Sequence, residues 1–230
     1  MFEWIRRIGK KARNLVLPER EERRARNTEA IDLAPYTPEP KVFLGQLAYL
    51  ELSQFEILTN ELKFSPTTSS KAELSEAAAK SFQKYRSIAK TLSLQGLDAT
   101  DAMDPFTERI ETFHSRTNGI DWFETVVKVY LVSGLLEDFY RRLAIGLPEA
   151  IQEDVEKALK DNTFERFAKA CLIDAMKDNP QLASRLALWG RRLMGDVLLE
   201  LRSAFDNRKL AGVTKGKRLS LEDERNVNLA

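Results

Sequence analysis

The chain has 230 residues, 43% of them hydrophobic and 31% charged, with a net charge of +1. That composition suits one sizeable globular domain with tails, while the longest apolar runs fall well short of the roughly 20 residues a membrane span needs, and no secretory h-region with a cleavage site follows the N-terminus. The single cysteine, Cys171, excludes an internal disulfide, reads as a small core hydrophobe, and fits a cytoplasmic protein.

The near-zero net charge conceals an asymmetry. Residues 1 to 26 carry nine Lys/Arg against four acids, whereas the remaining 204 residues carry 27 against 31. The body is therefore not a strongly basic nucleic-acid binder, and any general attraction to phosphate sits in the N-terminal arm. Within FEWIRRIGKKARNLV (2 to 16), Phe2, Trp4, Ile5, Ile8, Ala12 and Leu15 share one helical face, with Arg6, Arg7, Lys10, Lys11 and Arg13 largely opposite. This basic amphipathic segment is a docking element for a protein partner or, less strongly, for an anionic membrane surface, which would make the protein peripheral to a membrane. A charged run (19 to 27) and the proline-spaced linker APYTPEP (34 to 40) complete a segment of residues 1 to 40.

From Lys41 onward every long segment reads as helix. The first runs from about 41 to 63 and stops before Pro66. The second opens on a capping-box pattern at Ser70 and Glu73 and ends near Gly96. A shorter helix takes Asp104 as its N-cap and Pro105 in its first turn, ending at Asn118-Gly119. A third long helix starts at Asp121 through Glu124 and stops before Gly146; Pro148 opens a fourth, ending before Pro180; a fifth runs to about 211. Residues 213 to 230 read as a loose tail. With no strand alternation and no fixed-period repeat, residues 41 to 212 are expected to form an all-α helical bundle.

Several polar residues fall on faces that should point inward. Glu51 lies four residues after Leu47 and four before Phe55, in the middle of the apolar face of the first long helix. A carboxylate buried there must be paired, protonated or metal-bound. In the second helix Ser81 and Lys84 lie three apart, on or beside the face of Ala78, Phe82, Tyr85 and Ile88. In the third, Ser133 interrupts the face of Trp122, Val126, Val129, Leu136 and Tyr140, with Asp138 beside Phe139. In the fourth, Asp161 precedes Phe164 by three, and Asp161 also has a reading as a helix cap at DNT. Bundles that hold two irons use about four carboxylates and Glu-x-x-His pairs on two helices. This chain has one histidine, His114, near the end of the short helix, so a histidine-rich metal site is excluded by counting and His114 reads as a packing or capping residue. No Ser/His/Asp or Cys/His set and no glycine-rich phosphate loop is present.

Four stretches, GQLAYLELSQFE (45 to 56), DAMDPFTERIETFHSRTNGIDWFETVVKVY (101 to 130), EDFYRRLA (137 to 144) and RLALWGRRLMGD (185 to 196), together resemble the actinobacterial ferritin-like proteins grouped with the tRNA hydroxylase that acts on a methylthio-isopentenyl-adenosine base. The resemblance spans about residues 41 to 205. It implies a ferritin-like four-helix bundle, a di-iron centre and, for the namesake enzymes, oxygen-dependent hydroxylation of tRNA. It also implies where the ligands fall. The first-helix glutamate falls on Glu51 and is kept. The Glu-x-x-His of the second helix falls on Ser81 and Lys84, an acid of the third on Ser133, and the acid-x-x-His of the fourth on Asp161 and Phe164. Glu51 and Asp161 remain, with Asp138 as an extra carboxylate, and these do not reproduce a di-iron centre. The expectation is a ferritin-like protein without catalytic residues, cofactor or metal ligands, a binding or scaffold module that is free to form homo-oligomers. In it Lys84 would pair with Glu51 in place of metal, and Phe164 would fill the volume of the lost imidazole. The alternative is an iron-dependent hydroxylase of a hypermodified tRNA adenosine.

Overall fold

The computed structural model describes residues 32–206, the last six by backbone alone. The arm expected at 1 to 16 and the tail expected at 213 to 230 lie outside the described residues. Among those described, every regular element is helical: α1 (Pro40–Glu61), α2 (Thr68–Leu94), α3 (Ala99–Met103), α4 (Thr107–Arg116), α5 (Trp122–Ala144), α6 (Glu149–Ala158), α7 (Thr163–Lys177) and α8 (Pro180–Asp206), with single 3-10 turns at Ala34–Tyr36, Leu62–Phe64 and Asp104–Phe106.

Local chemistry explains most helix starts. Pro40 opens α1 at a position whose N–H would have no helical partner. Asp121 caps α5 by accepting the Glu124 N–H at 2.9 Å, and the Asn179 side-chain oxygen accepts the Leu182 N–H at the head of α8 at 2.9 Å. Three expectations are corrected. The capping box of α2 is Thr67 with Ser70, not Ser70 with Glu73, because Thr67 Oγ1 accepts the Ser70 N–H while Ser70 Oγ accepts the Thr67 N–H. The short helix does not begin at Asp104. A turn of helix capped by Asp98 precedes it, and Pro105 sits in the 3-10 turn joining the two pieces. The fourth helix is two helices, α6 and α7, broken at 159–162.

α1 and α2, joined by a short link, form the closest pair of the bundle. α6 and α7 pack on α2, α5 packs on α7, and α8 lies along the other side of α5. α1 and α5 stand further apart, meeting mainly through long side chains such as Phe43 against Tyr140. Gly45 lets α1 approach α3 closely, since a Cβ there would overlap the Ala102 carbonyl. Arg109 of α4 donates to both the side chain and the carbonyl of Glu200, which ties the short helix to α8.

The core is divided along the bundle axis. One half gathers Phe43, Leu44, Leu47, Ile88, Leu92, Tyr140, Leu143 and Leu159. The other gathers Leu58, Leu74, Ala78, Trp122, Val126, Phe164, Phe167 and Leu186. α1, α2 and α5 contribute to both clusters, and between its two contributions each places polar residues: Glu51 in α1, Ser81 and Lys84 in α2, Ser133 and Glu137 in α5; α6 packs in the first and α7 in the second, with Asp161 at the break between them, and α8 adds Leu193 and Val197 to a third, smaller cluster with Val132. A polar belt therefore crosses the bundle at mid-height.

Candidate functional site: a charged belt at the bundle centre

Lys84 is the hinge of the belt. Its Nζ donates to Glu137 Oε1 of α5 at 2.7 Å, and both side chains are buried. The expected partner, Glu51, is not the one that Lys84 bonds. Glu51 is 4% exposed and its Oε2 has no hydrogen-bond partner among the described residues. Glu137 wins because Arg141, one turn further along α5, also approaches it, with Nη2 3.8 Å from Oε2, so both of its oxygens face cations. Arg141 in turn donates to the Leu159 carbonyl at the broken fourth helix.

The electrostatics follow from burial and these neighbours. Burial alone would push the Lys84 ammonium down, but Glu51 and then Glu137 outweigh it and hold the amine above its ordinary range, so Lys84 stays charged. Burial pushes the Glu51 carboxyl up to about 7; Lys84 opposes that rise and Glu137 adds to it. Glu51, buried and with its Oε2 unpartnered among the described residues, is the carboxyl that burial drives toward its protonated form.

The remaining predicted positions separate into those on the belt and those off it. Ser81 is buried and accepts a hydrogen bond from Gln54 Nε2 of α1 at 3.0 Å. Phe164 is buried and packs in the lower core near Phe167, its ring centroid 6.2 Å away. Asp161 acts as a local cap, accepting the Thr163 N–H at 3.0 Å and the Thr163 hydroxyl at 3.1 Å, and reaches Lys84 only through its field. Asp138 is exposed, about 100° around α5 from its neighbour Glu137, and does not join the cluster. Glu137 itself was legible: it lies four residues after Ser133 and three before Tyr140, on the face already identified as inward.

A second buried lysine was not expected. Lys128 of α5 is 2% exposed, and its Nζ donates to the His114 carbonyl at 2.9 Å and to Asn118 Oδ1 at 3.3 Å. Burial pulls its amine down to about 8, against a partial counter-pull from Glu61. His114 stands beside it with neither ring nitrogen hydrogen-bonded among the described residues. Burial, reinforced by the Lys128 charge, holds the imidazole at about 4, so the ring is neutral at physiological pH. Between α1 and α5 these groups line a cavity of about 30 Å³, walled by Glu51, Ser133, Glu137, His114, Lys128 and aliphatic side chains including Leu47 and Val129.

An all-helical bundle with its functional groups at mid-height on facing helices is the ferritin-like class of architecture. Residues 36–216 match the family described as "Ferritin-like domain, actinomycetes", and the chain belongs to that family. No curated protein matches the chain. No helix among the described residues is long and apolar enough to cross a membrane.

Proposed function

We propose that the protein is a non-catalytic member of the ferritin-like family, a binding or scaffold module. In this reading the Lys84 ammonium supplies the charge that metal supplies in a di-iron bundle. The observation that carries it is the buried Lys84–Glu137 contact at 2.7 Å with Glu51 alongside. The donor set does not suit a pair of irons. Glu137 is taken up by the Lys84 ammonium, Asp161 is occupied with capping, and the second-helix positions three apart are a hydroxyl and an amine. Among the described residues no three His, Cys, Asp or Glu side chains form a group that could hold a metal ion. Partner docking is assigned to the basic amphipathic residues 1 to 16, which lie outside the described residues.

Iron quantification on full-length protein purified from iron-replete cells tests the reading. The expected content is far below one equivalent per chain, before and after incubation with ferrous iron. Two tightly held equivalents would restore the alternative, an oxygen-dependent hydroxylase of a tRNA adenosine, and loss of a hydroxylated tRNA base on deleting the gene would then identify its substrate.

A further inference from the structure

The outward side of α8 carries large apolar side chains that no described residue covers. Leu188 and Leu199 are 65% and 66% exposed, on a helix whose other side packs against α5. At about 100° per residue, Leu188, Gly195 and Leu199 fall within about 40° of one another and form one stripe. Arg192 and Asp196, both exposed, run along one edge of it. Glycine is unfavourable in a helix interior, and no neighbour in the chain calls for Gly195, where a Cβ would meet nothing within 4 Å. Arg185, nearer the start of α8, is held by Asp121 and Glu124, whereas no ion pair among the described residues engages Arg192 or Asp196.

The stripe is complementary to itself in reverse. Leu188 lies six residues before position 194 and Leu199 five after it, while Arg192 lies two before and Asp196 two after. A second α8, turned end for end by a two-fold axis through position 194, sets the Leu188 of each copy nearly level with the Leu199 of the other. Such an axis keeps each edge of the stripe on its own side. Arg192 therefore meets Asp196 of the other copy at the same height, and the reciprocal pair forms with it. Gly195 falls beside the axis, where the absent side chain lets the two backbones approach.

The chain's own segments outside the described residues fit this face poorly. It already carries Arg191 and Arg192 against the single acid Asp196. The amphipathic arm would bring Arg6, Arg7, Lys10, Lys11 and Arg13 to it, and residues 207 to 230 carry six Lys/Arg against three acids.

We propose that the outer face of α8 is a homodimer interface, on which a second copy of the chain packs antiparallel and exchanges Arg192–Asp196 ion pairs. One helix pair is a small contact, so the dimer is reversible, with a Kd on the order of micromolar or weaker. The interface is independent of the metal-free reading, because α8 contributes no residue to the belt.

Sedimentation equilibrium of full-length protein from about 1 to about 300 μM is expected to show a monomer–dimer equilibrium. Leu188→Glu should leave monomer only, with Leu199→Glu as the second variant if the first misfolds. Arg192→Asp and Asp196→Arg each set like charges across the axis, and each alone should weaken association roughly tenfold or more. Mixing these two proteins should restore it as a heterodimer, because each then offers the charge the other lacks. Monomer throughout the concentration range would overturn the proposal. So would a dimer indifferent to folded Leu188→Glu, which would place association on another surface such as the arm, or charge variants that mixing fails to rescue. Flotation with anionic vesicles that Leu188→Glu abolishes would assign the face to lipid and overturn it as well.

Discussion

At the residue scale, the belt is a charge problem with a covalent answer. Lys84 is the cation that keeps Glu51 and Glu137 tolerable in the interior. Lys84→Met is expected to destabilise the fold by about 3–5 kcal/mol at pH 8, the usual consequence of leaving a buried charge without its partner. Urea denaturation should find a smaller loss at pH 5, where Glu51 carries its proton, and Glu51→Gln added to Lys84→Met should recover much of the loss. The wild-type pH dependence has two opposing parts. Glu51 rises from its ordinary 4.5 to about 7 in the fold, so its contribution is full below about pH 4.5 and is lost as pH rises through about 7. His114 falls from 6.5 to about 4, so its contribution is full above about pH 6.5 and is lost as pH falls through about 4. Across the overlap, from pH 4.5 to 6.5, the two largely cancel. Glu51→Gln should therefore expose stability that increases with pH over this window, by roughly 1.4 kcal/mol per unit at most. His114→Phe should expose the opposite slope. Equal, flat profiles for all three proteins in denaturant titrations would contradict the assignment.

At the element scale, the helices were legible in the sequence and the joints were not. Apolar spacing with proline and Asp punctuation gave α1, α5 and α8 nearly whole. The register of the α2 cap escaped because Thr67, Ser69 and Ser70 all carry capping oxygens, and only the backbone decides which N–H each one meets. The break between α6 and α7 was legible only as a second reading of Asp161. Glu51, Ser81 and Lys84 were identified correctly as inward because each helix presents a single core face there. Lys128 was missed because α5 is buried on two sides, by the bundle and by α8, so a period of one apolar stripe cannot describe it. Glu137 was passed over for Asp138, although the face of Ser133 and Tyr140 already pointed to it. The close approach of α1 to α3 depends on Gly45. Gly45→Ala is expected to lower stability by about 1–3 kcal/mol, despite the better helix propensity of alanine, because the new methyl displaces backbone rather than a flexible side chain. Thermal unfolding checks it.

At the scale of the whole molecule, the charge asymmetry separates a basic arm from a mildly acidic body. A short amphipathic segment binds lipid only weakly by itself, and the proposed role is docking to protein. Flotation of full-length protein with anionic vesicles at physiological salt should leave it at the bottom of the gradient. Recovery with the vesicles, lost in high salt, would move the arm to the membrane side.

The division of the core into two apolar halves joined by a polar belt has a consequence for how the chain matures. In a metal-loaded bundle, the two halves are clamped after synthesis, when ions arrive from the cell's supply. Here the clamping cation is part of the polypeptide and reaches its place as α2 and α5 come together. On the metal-free reading proposed above, such a protein needs no ion to finish its fold, so its abundance would follow translation rather than iron nutrition and iron scarcity would leave it intact.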